Sequence, residues 1–275
     1  MPTLSGEHRE PWYAAARRLL EGVDRLVFPP PARCLVCGRE GPFPAHICAS
    51  CLMGWRRELE HSCPCCGRPS GPSGSHAPWG RASLAGPFSA RAAESSRPAG
   101  LCRECGSYPA PWDKVRPVGL YRGALRELIC RFKYGGERWL GAPLGEIMAG
   151  VGLATLARPD FLVPVPLGAG RYRQRGFNQA EDLARVAGRR WRVPVVRALA
   201  RRRPGRRQAG LDRASRWENL AGVFEPLMDL RGATITVVDD VMTTGATLAN
   251  CAWALLQAGA GRVDGLVLAT VPGEG

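Results

Sequence analysis

One stretch, from Thr234 to Leu248, constrains the fold of this chain more than any other part of the sequence. It reads TITVVDDVMTTGATL, so a run of mostly β-branched residues leads into two neighbouring carboxylates, Asp239 and Asp240, and then into a turn rich in hydroxyl groups. A strand that is buried on both faces of a parallel sheet reads as such a continuous apolar run. The order therefore predicts a buried strand over Thr234–Val238, an acidic pair, a turn, and a helix over Ala246–Ala258.

The turn after the acidic pair has the chemistry of an anion site. Ligands of open α/β sheets bind outside the carboxyl ends of the strands, and N–H groups and the dipole at a helix N-terminus favour an anion there. Gly245 allows a backbone geometry that most residues avoid, and the threonine hydroxyl groups add donors. Carboxylates beside such a turn suit a sugar phosphate, because they can accept hydrogen bonds from sugar hydroxyls or hold Mg²⁺. The alternative interpretation is an ordinary buried strand followed by a capped helix.

This stretch resembles the phosphoribosyl pyrophosphate (PRPP) motif of type I phosphoribosyltransferases. In that family the acidic pair contacts the ribose 2′ and 3′ hydroxyls, and the following turn wraps the 5′-phosphate. The resemblance implies that Asp239 and Asp240 bind the ribose and Mg²⁺. It also implies a 5′-phosphate site formed by Thr243, Thr244, Gly245, Ala246 and Thr247.

Length and composition bound the class of protein. A chain of 275 residues with 45% hydrophobic residues can hold one large or two modest domains. No apolar run reaches the ~18 residues that span a bilayer, and the N-terminal sequence lacks the apolar core of a secretion signal. We therefore expect a cytoplasmic protein without membrane insertion. The net charge of +14 favours anionic ligands such as phosphates, nucleic acid or acidic lipid.

Paired cysteines indicate a structural metal centre. In a cytosolic chain such pairs favour metal over disulfides, and two pairs complete a tetrahedral zinc site. The simplest arrangement joins the first pair with the second and the third with the fourth, while interleaved pairing and a disulfide scaffold are alternatives. Cys65 is a candidate substitute for a neighbouring ligand. His46 and His61 are further candidates, with surface residues as their alternative interpretation. We expect one or two structural zinc ions, held by Cys34, Cys37, Cys48, Cys51, Cys63, Cys66, Cys102 and Cys105.

The chain is predicted to have three parts. Residues 1–33 form a lead-in with an amphipathic helix over 12–28. Residues 34–110 form the zinc-binding module, interrupted at 70–100 by an insert rich in Ser, Gly, Ala and Pro that is predicted to be disordered. Residues 111–275 form an α/β domain with a doubly wound, mainly parallel sheet, because predicted strands alternate with predicted helices. Its strands are expected near 115–121, 161–165, 194–196, 234–238 and 262–271, and its helices over 123–133, 139–156, 177–190 and 246–258.

Two segments are predicted to bring cations to the same sheet edge. Lys133 ends a helix and precedes two glycines, whose N–H groups can approach a ligand closely. The alternative is a glycine C-cap with a lysine that complements the helix dipole. Guanidinium groups that follow the second strand suit bidentate phosphate contacts. The candidate pyrophosphate-binding residues are Lys133, Tyr134, Gly135, Arg171, Arg173 and Arg175.

A third basic segment lies in the run RRRPGRRQ. It can close over a polyanion such as nucleic acid, or it can be a solvated loop. Single-stranded nucleic acid is bound by cations together with stacking aromatic side chains, and Tyr172, Phe177, Trp191 and Trp217 lie among the Arg-rich segments. The alternative is that these aromatic residues belong to the core. The candidate nucleic-acid contacts are Arg201, Arg202, Arg203, Arg206 and Arg207.

Together these features resemble the ComF family of competence-associated, phosphoribosyltransferase-like proteins, over roughly residues 24–271. The departures are the insert at 70–100, the additional Cys65, and Gly168, Ala169 and Gly170. The resemblance rests on the cysteine pairs, KYGG at 133–136, PVPL at 164–167 with Arg171, RGFNQ at 175–179, Gln208-x-Gly-Leu, Asn219-x-x-Gly and the PRPP motif.

This resemblance implies a PRPP-binding protein that handles single-stranded DNA during DNA uptake and natural transformation. A competence helicase is a candidate protein partner. The alternative is an active, Mg²⁺-dependent phosphoribosyltransferase of nucleotide metabolism, for which the sequence indicates no acceptor. In that reaction pyrophosphate would leave C1, and the protein would supply positioning and electrostatics rather than a nucleophile.

Overall fold

The structure is a computed structural model that describes residues 33–43, 45–69, 99–102, 105–106, 110–202 and 223–271. The helix predicted over 12–28 and almost the whole insert lie outside these residues, as do Trp217 and most of the basic run. Within the described ranges, no helix has the length and apolar character needed to cross a membrane.

The central feature is a four-stranded sheet with the strand order β1-β6-β5-β2, in which every neighbouring pair is parallel. Parallel strands place all their carboxyl ends at one edge of the sheet. The predicted parallel sheet is confirmed. The elements are α1 Ala49–Arg57, β1 Val115–Leu120, α2 Gly123–Tyr134, a short 3₁₀ helix Arg138–Leu140, α3 Gly141–Thr155, β2 Phe161–Pro164, α4 Ala169–Arg175, α5 Gln179–Trp191, β3 Leu199–Arg201, β4 Phe224–Pro226, β5 Thr234–Met242, α6 Ala246–Gln257 and β6 Arg262–Thr270.

Helices cover both faces of the sheet, as in a doubly wound fold. On one face α2, α3 and α5 pack against the sheet through a cluster that includes Met148, Leu183 and Leu266. On the other face α6 packs through Cys251 and Leu255. This arrangement buries the strands on both sides, which explains why their sequences are largely apolar.

Three local features differ from the sequence prediction. The strand expected at 194–196 is a single bridge between Leu162 and Val195. Strands β3 and β4 form a small antiparallel pair that is too short to leave a periodic pattern. Helix α4 buries none of its residues, so its sequence lacks the apolar spacing that would predict a helix.

The cysteine-rich module covers the β1 edge of the sheet. Val115 N–H donates to the Cys65 carbonyl at 2.7 Å, and Arg116 Nη1 donates to the Pro64 carbonyl at 2.8 Å. From the module, Arg56 Nη1 donates to the Pro117 carbonyl at 2.8 Å. The module therefore supplies partners to backbone groups that an exposed edge strand would leave unpaired.

Candidate functional site

Strand β5 carries the acidic pair to the carboxyl edge of the sheet. The strand runs on to Met242, so the pair lies within its last residues rather than after it. Successive side chains of a strand point to opposite sides. Asp240 Oδ1 lies 2.8 Å from Lys133 Nζ, and both side chains are little exposed, at 13% and 11%. Asp239 instead lines a recess beside the turn that follows the strand.

The Asp239 carboxyl is close to half protonated near neutral pH. Its pKa is raised to about 7, first by burial and then by the nearby Asp240 carboxylate. The Asp240 N–H, which donates to Asp239 Oδ1 at 2.8 Å, opposes the rise, as do Lys133 and Arg171. Two carboxylates surrounded by cations can accept hydrogen bonds from a diol or share a divalent cation.

The turn between β5 and α6 has an open, donor-rich geometry. Gly245 precedes α6 with φ +81°, in the left-handed region that favours glycine. Thr244 Oγ1 accepts a hydrogen bond from Ala246 N at 3.3 Å, and the side chains of Thr243, Thr244 and Thr247 are exposed. The recess beside this turn is lined by Asp239, Val241, Met242, Thr243, Gly245, Thr247, Leu248 and Val267.

The end of α2 contributes the predicted lysine and glycine. Lys133 lies in the last turn and reaches across to Asp240. Gly135 caps the helix, since its N–H donates to the Arg131 carbonyl at 2.8 Å. A Cβ atom at this position would lie 2.8 Å from the same carbonyl oxygen. The glycine C-cap interpretation is therefore correct, and Lys133 still faces the candidate site.

The three arginines of α4 have different surroundings. Arg171 lies close enough to Asp239 to lower the pKa of that carboxyl. Arg175 stacks on the Tyr134 ring at 4.7 Å from its centroid and donates to the Tyr134 hydroxyl at 2.7 Å. Arg173 is exposed on the helix. The structure thus brings Arg171 to the acidic pair and uses Arg175 to hold α4 against the end of α2.

Only two members of the basic run lie within the described residues. Arg202 Nε donates to Glu225 Oε2 at 3.0 Å, and the Arg201 guanidinium lies 5.6 Å from the Phe224 ring centroid. Both contacts belong to the β3–β4 pair. Arg203, Arg206 and Arg207 lie outside the described residues.

The aromatic residues near the site divide into core and surface. Phe177 and Trp191 are buried, Phe177 against Phe132 at 5.5 Å between centroids. Tyr134, Trp139 and Tyr172 are exposed. Trp139 was not predicted from the sequence, since nothing in its surroundings distinguishes it from a buried tryptophan.

Two clusters of four cysteines match the sequential pairing predicted from the spacing. In each cluster all sulfur atoms lie within 4.8 Å of one another. The Sγ atoms of Cys37 and Cys48 are 3.8 Å apart, and those of Cys66 and Cys102 are 3.7 Å apart. Tetrahedral zinc with Zn–S bonds near 2.3 Å requires about 3.8 Å between sulfur atoms. The two clusters therefore fit structural zinc, and they consist of Cys34, Cys37, Cys48 and Cys51, and of Cys63, Cys66, Cys102 and Cys105.

The environment of Cys34 favours a metal-binding thiolate. Burial alone would raise its pKa, but backbone N–H groups that donate to its sulfur, first that of Cys48, lower the pKa to about 6. The Cys48 N–H lies 3.3 Å from this sulfur. Neither cluster in the described part of the chain contains a histidine, and the additional Cys65 lies beside Cys105 in the second cluster.

One buried arginine in the cysteine module contacts the turn and was not predicted. Arg68 is 1% exposed, and its Nη2 donates to the Thr243 carbonyl at 2.8 Å. In the sequence Arg68 only follows the turn glycine of the third cysteine pair. No local pattern relates it to a residue 175 positions away.

The chain is similar to several known proteins. The double zinc ribbon domain family matches residues 23–82. The DNA utilization protein YhgH of Escherichia coli O6:H1 is 30% identical over 79% of this chain and 87% of that protein. Competence protein F of Haemophilus influenzae is 31% identical over 54% of this chain and 68% of that protein. Among solved structures, a purine phosphoribosyltransferase from Pyrococcus horikoshii Ot3 aligns with 48% of this chain and 75% of that one, at 20% identity and a TM-score of 0.33.

The cysteine clusters, the parallel sheet and the β5 motif occur together in a chain that is related to the YhgH protein over 79% of its length. On this evidence the chain belongs to the ComF family of competence and DNA utilization proteins.

Proposed function

We propose that this protein binds PRPP at the carboxyl edge of its sheet and handles single-stranded DNA in the cytoplasm during DNA uptake. The observation that carries the proposal is the convergence of five features on one edge. These are Asp239, Asp240, the turn Thr243–Thr247, Lys133 and Arg171, which come from β5, α2, α4 and the start of α6.

Each end of PRPP has a complementary partner. The turn offers hydroxyl groups and the N-terminus of α6 to the 5′-phosphate. The carboxylates of Asp239 and Asp240 suit the ribose diol, and Lys133 and Arg171 suit the pyrophosphate. Because Lys133 is paired with Asp240, its ammonium group is already held at the site and need only exchange partners when pyrophosphate arrives.

Magnesium fits the same residues. The acidic pair supplies the oxygen ligands that this cation prefers, and Asp239 has a carboxyl whose raised pKa a nearby cation would lower. When bound, Mg²⁺ would neutralise pyrophosphate oxygens. The chain itself would hold the ribose and orient both phosphate ends.

The surface around α4 supports the proposed handling of single-stranded DNA. Tyr134, Trp139 and Tyr172 expose their rings, and Arg171 and Arg173 lie exposed on the same helix as Tyr172. Exposed rings among cations are the combination that binds single strands without strong sequence preference. A competence helicase stays a candidate partner on the family resemblance alone.

An active phosphoribosyltransferase is the second candidate. It is favoured by the cations that surround the acidic pair, since electrostatic stabilisation of a departing pyrophosphate is the main requirement of that chemistry. Release of pyrophosphate from PRPP in the presence of candidate acceptors would distinguish turnover from binding.

Isothermal titration with PRPP and Mg²⁺ tests the proposed site. Wild-type protein should bind, and the double variant Asp239→Asn, Asp240→Asn should lose measurable binding while its circular dichroism stays that of a folded protein. Asp160→Asn is the matched control, because Asp160 accepts the Thr234 N–H at the opposite end of β5. Equal affinity in the wild type and the double variant would reject the site. Repeating the titration with single-stranded oligonucleotide present tests whether the two ligands are coupled.

A further inference from the structure

Arg68 connects the second cysteine cluster to the turn that follows β5. Its guanidinium is buried and donates to the carbonyl of Thr243, the first residue after the strand. Its backbone closes the turn of the third cysteine pair, since Cys63 N–H donates to the Arg68 carbonyl at 2.6 Å. A single residue thus belongs to the metal-binding turn and touches the candidate phosphate site.

The first cysteine cluster has an arginine, Arg39, at the position equivalent to Arg68, and the two can be compared. Its sequence Cys34-Leu-Val-Cys-Gly-Arg39 matches Cys63-Pro-Cys-Cys-Gly-Arg68 in spacing. The turns have the same geometry, because Cys34 N–H donates to the Arg39 carbonyl at 2.8 Å and the two glycines have φ of +70° and +69°. Arg39 is nevertheless exposed. The turn alone therefore does not bury an arginine, and the burial of Arg68 follows from what its side chain meets.

The bond to Thr243 orients the next donor of the turn. In a trans peptide the C=O and the following N–H point in opposite directions. Holding the Thr243 carbonyl toward the buried guanidinium therefore directs the Thr244 N–H away from it, toward the exposed side of the turn. The guanidinium also places a fixed positive charge beneath a site for a phosphate dianion.

The neighbouring residues of the cysteine module also fix the position of Arg68. Gly67 has no room for a side chain, because a Cβ there would lie 2.4 Å from Pro117 Cδ. The Cys65 carbonyl is bonded to Val115 N–H at 2.7 Å. If the second cysteine cluster opened, its turn would be released and the backbone of Arg68 would lose its fixed position.

We infer that Arg68 is a positioning residue through which the second cysteine cluster, with its metal, sets the phosphate affinity of the turn after β5. The inference rests on the proposed function, because it names a determinant of the same phosphate site. The metal shapes the turn through Arg68 and does not touch the ligand.

The test measures two partial ligands by calorimetry, ribose 5-phosphate and inorganic pyrophosphate. Arg68→Met should weaken ribose 5-phosphate binding about tenfold, the loss expected for one hydrogen bond from a charged donor. It should leave pyrophosphate affinity unchanged, because Lys133 and Arg171 are intact. Arg68→Lys should recover part of the loss, and Arg39→Met should change neither affinity. Equal losses for both ligands, or none for either, would overturn the inference.

A second measurement uses wild-type protein and does not depend on how a variant folds. Coupling of binding free energies is reciprocal, so bound ribose 5-phosphate should raise the zinc affinity of one cluster, measured at equilibrium against a competing chromogenic chelator, and leave that of the other unchanged. Identical zinc affinities with and without the ligand would overturn the inference. If the wild type fails to bind ribose 5-phosphate at all, the proposed function fails. If it binds and Arg68→Met binds equally, only the role of Arg68 fails.

Discussion

The ammonium group of Lys133 lies 2.8 Å from Asp240 Oδ1 and joins the last turn of α2 to the end of β5. Both side chains are largely buried, so the pair is less screened by solvent than a surface ion pair. Binding of an anion beside Asp240 requires this cation, and loss of the cation leaves a carboxylate without its partner.

Lys133→Met should therefore weaken pyrophosphate binding about tenfold or more, with a smaller effect on ribose 5-phosphate. Calorimetric titration with each ligand measures the difference. Arg131→Met is the control, since Arg131 lies on the same helix and pairs with Glu137 at 2.7 Å. A Lys133 variant that binds pyrophosphate as the wild type does would remove this residue from the site.

Stability should depend on pH through Asp239. Its pKa of about 7 in the folded protein exceeds its ordinary value of 3.8, so between these values the folded state binds more protons than the unfolded state. The free energy of unfolding should then fall as pH rises from about 4 to about 7. Asp239→Asn should flatten this dependence in denaturant titrations of ligand-free protein. Parallel pH profiles for the variant and the wild type would show that Asp239 does not titrate there.

Metal removal should affect both cysteine clusters. Elemental analysis should find two zinc ions per chain, one for each cluster of four sulfur atoms. A strong chelator should release them and unfold the module, because metal binding and folding are coupled in such sites. Cys34→Ser should lower the zinc content by one ion. Protein with no zinc, or a module that keeps its circular dichroism after chelation, would contradict this account.

The exposed rings near α4 should contribute to single-strand binding. Trp139→Ala or Tyr172→Ala should cost about 1–3 kcal/mol for each base that stacks on the ring, as measured by fluorescence anisotropy with a labelled oligonucleotide. Leu153→Ala is the control, because Leu153 is also an exposed apolar residue but lies on α3.

The contribution of the arginines to single-strand binding should appear in its salt dependence. Arg173→Gln should reduce the log–log salt dependence of single-strand binding by about 0.7, the value for one phosphate contact. Replacing Arg201, Arg202, Arg203, Arg206 and Arg207 by glutamine should flatten it further. A salt dependence that neither change alters would indicate that these arginines make no phosphate contacts.

The parts of the structure that follow from local sequence could be predicted. The first part of β5, Thr234–Val238, is mostly β-branched because both faces of the strand are buried there. The observed cysteine clusters follow the sequential pairing, which was the simplest of the arrangements that the spacing allowed. The α4 helix could not be predicted, since it buries no residue. The contacts of Arg68 with Thr243 and of Lys133 with Asp240 join distant segments. These contacts depend on how the module and α2 pack against the sheet. The local pattern of apolar residues does not predict that packing.

We propose that the acidic pair of β5 holds a ribose while the adjoining turn holds its 5′-phosphate. A crystal structure of the protein with PRPP and Mg²⁺ would show whether it does. We expect density for the ribose hydroxyls within hydrogen-bond distance of Asp239 and Asp240, with the 5′-phosphate seated at Thr243–Thr247. A ligand bound elsewhere, or a site that stays empty at saturating PRPP, would rule out this site.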